Sequence, residues 1–261
     1  MASNTDTPGL PGPAAAAGAH PEPTEATAAR AAARVHRFSG TERWLHRVHG
    51  GSFMLMLASG LVLFIPQFAG VVGNRPLVKG AHLVVAVLWL TGLTLVALLG
   101  DRRIVRRTWR QFLALDGDDV RWLMSRAARE RPQRRFNGGQ RVHGLLQGAL
   151  TILFFVSGAL LWLGERDHTL RAPGALPVHD AAMVVGGLFV AGHLWIAVGP
   201  ARASLSGMTD GTVPAAYAQQ HHAAWDPSSE PVERRPALTV ARCLAAATVV
   251  AVGVATSIAI V

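Results

Sequence analysis

Apolar residues in this chain are gathered rather than spread. Near-continuous runs occupy 53–65, 81–99, 145–163, 181–198 and 243–261, most of them close to the roughly 20 residues a helix needs to cross hydrocarbon. The first run reaches that length only if its helix starts near Trp44, and Pro66 ends it. The alternating pattern of a membrane barrel is missing. The pattern therefore predicts an all-α integral membrane protein. It would be an up-and-down bundle of four spans, at about 44–66, 80–100, 140–163 and 179–199, with a fifth span at the C-terminus.

The polar stretches divide the chain further. Residues 1 to about 33 are rich in Ala, Pro, Gly and Thr, a composition too poor in large apolar groups to offset chain entropy, which predicts a disordered tail reaching as far as residue 36. With neither a basic start nor an apolar core it does not read as a signal peptide, so no cleavage is expected. Residues 37–225 then form the four-span domain, and 226–261 a linker with the extra helix.

Charge sets the orientation. The formal net charge of +9 lies mostly in connections between apolar runs, where membrane topology rather than nucleic-acid binding puts it. The segment 101–141 carries twelve arginines against five acidic residues, whereas the connections on either side of it hold two basic residues each. That asymmetry predicts a cytoplasmic N-terminus and a cytoplasmic 101–141 segment in a cell membrane, with most of these arginines solvated against anionic lipid headgroups. Cys243 is the only cysteine. The chain therefore has no internal disulfide and no cysteinyl iron–sulfur cluster of its own.

Histidines inside the apolar runs are the candidate chemistry. His179 and His193 stand fourteen residues apart in 177–200, close to four turns, so both project from one helix face about 21 Å apart along the axis. Gly186 lies halfway between them, flanked by Gly187 and Gly192, which would leave room for flat groups. A lone buried histidine more often hydrogen-bonds a neighbouring helix; a pair in this register points to two cofactors at two depths. With the N-terminus inside, His46 opens span one at the inner level and His82 opens span two at the outer level. Span four places His179 outside and His193 inside. Two same-level pairs follow, His82 with His179 and His46 with His193, each able to offer one imidazole to either side of a macrocycle. His49 could replace His46, although it would reach deeper than His193, and His143 is a third candidate at the inner level. No Cys-x-x-Cys-His is present, so a haem here would be b-type and non-covalent. Zinc fits less well, since two histidines per level do not make a tetrahedron.

Read in order, the elements RFSGTERWLH followed by Ser59-Gly60, KGAH, RRFNGGQR at 134–141, the H-x13-H ladder, SLSGMTDGTV and AAYAQQHHAAW resemble the gamma subunit of respiratory formate dehydrogenase, a di-haem membrane cytochrome b. The resemblance implies haem ligands at His46, His82, His179 and His193. It also implies a quinone, menaquinone or ubiquinone, near the inner haem beside Asn137, with Gly139 and Gln140. Further implied are an iron–sulfur beta subunit and a molybdenum or tungsten alpha subunit in an oligomeric complex of anaerobic respiration. In such a complex electrons would pass from the outer face through two b haems to quinone on the cytoplasmic side. No group in this chain looks equipped to oxidise the primary substrate. The same cytochrome architecture serves hydrogenase and thiosulfate or polysulfide reductase anchors. A reading from another class is a histidine-containing small transporter or structural anchor, although inverted repeats are not evident. Asn137 and Gln140 have a plainer role open to them, that of a helix cap. His221 and His222 are expected in a solvated loop packed against the inner face.

Overall fold

The structure, a computed structural model, describes residues 33–260. Its elements in chain order are β1 (Arg34–His36), α1 (Gly40–Phe64), α2 (Pro66–Val72), α3 (Arg75–Leu99), α4 (Arg102–Leu113), α5 (Gly117–Met124), α6 (Arg126–Arg129), α7 (Gly138–Arg166), α8 (Ala175–Val198), α9 (Leu205–Thr209), β2 (Thr212–Pro214), α10 (Ala215–His221) and α11 (Val240–Ile260). Helices α1, α3, α7, α8 and α11 are long and apolar enough to cross a membrane. Most of their large side chains face outward, Trp195 at 75 % exposure and Leu188 at 69 %, as suits a lipid environment and no aqueous one. The chain is a multi-pass, all-α membrane protein.

Three spans begin earlier than their apolar runs because polar caps start them. Ser39 Oγ accepts from the Glu42 amide at 3.2 Å while Glu42 accepts from the Ser39 amide at 2.9 Å, a capping box that opens α1 at Gly40. Asn74 caps α3, with Pro76 in its first turn. Asn137 and Gln140 form a second capping box at α7. Two of the three residues expected at the quinone therefore also hold a helix end.

Helix α1 packs against α3 and α7 against α8, while α11 lies on the outer side of α3. A Cβ on Gly253 would stand 2.5 Å from Thr91 Oγ1, so glycine lets α11 lie directly on α3.

The segment 101–141 is more ordered than a solvated, arginine-rich linker. Amphipathic α4 lies against α7, and its Trp109 and Phe112 rings sit where side chains at Gly148 and Gly144 would be. The small-xxx-small spacing in α7 thus receives the aromatic residues of this helix. Arg135 and Arg141 are buried, exceptions to the solvation expected of most of these arginines. Arg141 pairs with buried Asp119 at 2.7 Å and donates to the Ala114 carbonyl. Arg135 pairs with Glu42 at 2.8 Å.

A small domain caps this end of the bundle. Strands β1 and β2 pair antiparallel, with Val35 opposite Val213, so ordered chain begins before residue 37 and the predicted tail is shorter than drawn. The rest of that tail, residues 1–32, lies outside the described residues. Val213, Ala218 and Trp225 form the cap's apolar centre. Arg37 and Arg135 exchange backbone contacts, each guanidinium donating to the other residue's carbonyl at 2.6 Å. Burial lowers the Arg37 guanidinium to about 10. The linker after the cap is a clamp. Glu233 accepts from the Gly40 and Thr41 amides at the start of α1, the Arg234 amide donates to Asp101, and Glu230 binds Trp225 Nε1 and Arg107.

His222 is not solvated as expected. It is buried in the cap, and its Nδ1–H donates to the Arg134 carbonyl at 2.7 Å. Burial, with the Arg37 charge adding to it, pushes the imidazole down to about 3 from its ordinary 6.5. Between those two values the unfolded chain binds a proton that the folded cap does not, so stability falls as pH drops below 6.5 and is unaffected by His222 above it. The amide protection factors of residues 215–225, exchange rates corrected for their intrinsic pH dependence, should therefore be constant above 6.5 and fall on acidification below it. A His222→Gln variant should lose that acid dependence; an unchanged profile would assign it to another group.

Candidate cofactor site

Four histidines meet in two pairs inside the bundle. The ring centres of His82, from α3, and His179, from α8, are 6.3 Å apart; those of His46, from α1, and His193, from α8, are 6.2 Å apart. An iron held by two imidazoles at about 2 Å each, with roughly 1 Å more from each nitrogen to its ring centre, calls for a centroid spacing of about 6 Å. Both pairs fit a single metal between them, and the two pairs share α8 at depths about 21 Å apart.

The His82–His179 pair is also oriented. Ser59 Oγ donates to the Leu55 carbonyl at 2.8 Å and lies 2.8 Å from His82 Nδ1; Ser157 Oγ donates to the Leu153 carbonyl at 2.6 Å and lies 2.8 Å from His179 Nδ1. A carbonyl can only accept, so each hydroxyl proton is committed and the serine oxygen accepts from Nδ1–H. The proton on Nδ1 leaves Nε2 with its lone pair, the tautomer a metal ligand needs. Beside each serine is a glycine, Gly60 or Gly158, where a Cβ would come within 3.6 Å of the imidazole Cε1. The dipeptide Ser-Gly thus recurs in the first helix of each antiparallel pair and receives a histidine from the second. These are two of the four Ser-Gly steps in the sequence, the two that fall within apolar runs. Their role as a tautomer lock is not visible there, because the histidine each serves lies 22 or 23 residues further on.

The other candidates at the His46 level take different places. His49 sits 5.4 Å from the Trp89 ring and reaches Gln147 Oε1 at 3.4 Å. His143 stacks on His193, with centres 4.8 Å apart and planes 11° apart; it covers that ring.

Gly186 does not leave room for a flat cofactor. A Cβ there would be 2.9 Å from Phe53 Cζ and 3.5 Å from Leu150, so the phenyl ring of Phe53 fills the space midway between the two pairs. Buried Phe53 in turn meets Trp89 and Phe154 edge-on at 6.1 and 6.0 Å, and Phe154 lies 5.3 Å from His179. Sequence reading missed this aromatic partition, because Phe53, Trp89 and Phe154 sit in apolar runs where any phenylalanine or tryptophan looks alike. Gly192 faces open space, with nothing within 4 Å of a built Cβ among the described residues.

At the start of α7, Asn137 Oδ1 accepts from the Gln140 amide, and Gln140 Oε1 accepts from the Asn137 amide and from Arg37 Nη2. Gly138 lies against the Asp119 backbone and Gly139 against the Trp122 ring. The side-chain nitrogen of Asn137, Nδ2, makes no hydrogen bond among the described residues. Six residues along α7, about 9 Å, comes His143, stacked on His193.

The family model for prokaryotic cytochrome b561 matches residues 37–211. The formate dehydrogenase cytochrome b556(fdo) subunits of Escherichia coli strains K12, O6:H1 and O157:H7 are each 24% identical to this chain over 202 residues. Each alignment covers 73% of this chain and 91% of the relative.

The partition between the pairs is testable by reciprocal substitution. Phe53→Ala should cost about 3–5 kcal/mol as an unfilled cavity, and Gly186→Ala about 1–3 kcal/mol as overpacking, both read as faster thermal inactivation in detergent. Combining Gly186→Ala with Phe53→Leu should be milder than Gly186→Ala alone; simple additivity would mean that the two side chains do not meet.

Proposed function

The chain belongs to the prokaryotic cytochrome b561 family, whose prosthetic group is b-type haem, and from that premise we propose that it is the membrane electron-transfer subunit of a respiratory formate dehydrogenase. It would hold two haems, one between His82 and His179 and one between His46 and His193. The observation that carries this reading is the matched spacing of the two histidine pairs, 6.3 and 6.2 Å, on helices from opposite halves of the bundle. When bound, the haems supply one-electron carriers at two depths. The protein's part is to aim the imidazoles, to close the space between the tiers with Phe53 and Phe154, and to keep water from the bundle interior.

The basic 101–141 segment supports a cytoplasmic cap and N-terminus in the cell membrane. The His82–His179 pair then faces the outer side, where an iron–sulfur subunit would deliver electrons taken from formate by a molybdenum or tungsten catalytic subunit. The relatives named as formate dehydrogenase cytochrome subunits support that assignment of partners. A quinone would take the electrons at the inner side. Asn137 has its oxygen committed to the cap and its amide N–H groups available to a quinone carbonyl, close to where His143 covers His193. Gly139 and Gln140 would shape the wall beside it.

Purified protein should show a low-spin b-type spectrum with two haems per chain. His82→Ala should reduce that to one and spare the pair at His46 and His193; two haems retained would break the pairing. Asn137→Ser separates the roles of that side chain, since serine keeps the cap but lacks the amide N–H groups. Quinone reduction should slow about tenfold or more, the loss of one hydrogen bond at the acceptor, with haem content unchanged. Normal kinetics would leave Asn137 as a cap alone.

A further inference from the structure

The crowding of arginines in 101–141 is resolved in the fold by drawing several of them around one space. Between α4 and residues 134–141 lies a cavity of about 270 Å³ lined by Arg107, Arg110, Gln111, Arg134, Arg135 and Arg141, with Ala114 and Phe136. No carboxylate is among the described residues that line it. Four of the guanidiniums are fixed by carboxylates outside the lining: Arg107 by Glu230 at 3.3 Å, Arg134 by Asp116 at 3.1 Å, Arg135 by Glu42 at 2.8 Å and Arg141 by Asp119 at 2.7 Å. Arg110 makes no ion pair or side-chain hydrogen bond among the described residues.

Two of these side chains are held almost wholly inside the protein behind the cavity wall. Arg135 and Arg141 are each only 5 % exposed, and the Nε of each has no hydrogen-bond partner among the described residues. Arg135 Nε lies 3.7 Å from a Glu230 carboxylate oxygen, within ion-pair reach but beyond a hydrogen bond. A buried guanidinium donor left unmatched is costly, and with four of the five charges balanced by Glu230, Asp116, Glu42 and Asp119, Arg110 is the one cation at the cavity open to an added anion among the described residues. Planar guanidinium forks match the oxygens of a phosphate group.

The location narrows the source. Trp109 and Phe112 of α4 dock on Gly148 and Gly144, within the first turns of a membrane-crossing helix, so α4 lies at the level of the headgroups. Leu113 and Leu115, beside the cavity, are exposed apolar side chains suited to acyl chains. We propose that this cavity is a phosphate-binding site, taking the headgroup phosphate of an anionic membrane lipid. Free phosphate shares the recognition chemistry but not the apolar border.

The test uses the full-length chain, delipidated in a neutral detergent, titrated with short-chain phosphatidylglycerol and separately with inorganic phosphate. Phosphatidylglycerol should bind one per chain. Arg110→Gln, which removes an exposed side chain without a partner, should weaken it about tenfold, while Arg110→Lys should retain most of the affinity. An unchanged oxidised haem spectrum checks that each variant is folded. Phosphatidylglycerol binding with inorganic phosphate much weaker supports the lipid source. Phosphate binding alone would keep the site but overturn the lipid. Binding of neither, or equal binding by Arg110→Gln and the parent chain, overturns the site.

Discussion

Two imidazoles on different helices can share a metal only if the helices stand at matching depth, and a helix that slips by one residue moves its histidine by about 1.5 Å and turns it by about 100°. Apolar helices in lipid have little to prevent such slippage, because one lipid-facing residue is as good as the next. The polar interactions that fix depth here are concentrated at the capped end. Arg135 stands just before α7 and pairs with Glu42 in the first turn of α1, which sets those two helices level. The exchange of carbonyl contacts between Arg37 and Arg135 repeats the connection through the backbone. Asp101 and Glu233 extend it to the end of α3 and the linker before α11. The buried charges of the cap thus act on the histidine pairs over a distance through rigid helices.

The far end is set differently. There Ser59-Gly60 and Ser157-Gly158 hold His82 and His179 in a near-symmetric arrangement of hydroxyl, missing side chain and ring. The near end breaks the symmetry, since His46 comes from the first helix of its pair and His193 from the second, and His143 stacks on His193. One consequence is that the two pairs differ in surroundings: one is bound by hydroxyls, the other is covered by a third imidazole. The basicity of an imidazole depends on such neighbours, so the two histidine pairs are not electronically equivalent.

The glycines show how one residue type serves unlike ends. Gly60 and Gly158 clear space beside imidazoles, Gly186 admits Phe53, and Gly144 and Gly148 seat the α4 aromatics. Of these five, only Gly60 and Gly158 border a histidine pair. A spacing identifies a face, and what occupies that face is decided by another part of the chain.

What the amino-acid order determined by itself was the set of spans, the two histidine levels and the basic end, because each is a property of one segment: apolar length, helical period and local charge. The cap at Asn137 was legible for the same reason, its partner Gln140 lying three positions away, whereas the cap at Ser39 was found only in the fold. The tertiary structure alone decided that Arg135 and Arg141 are buried, that His222 is neutral inside the cap, and that His49 turns to Gln147. It also decided that Phe53 rather than open space separates the tiers. Each of those outcomes depends on a partner tens of residues away. Side-chain burial is a property of the pair, so no local period in the sequence can encode it.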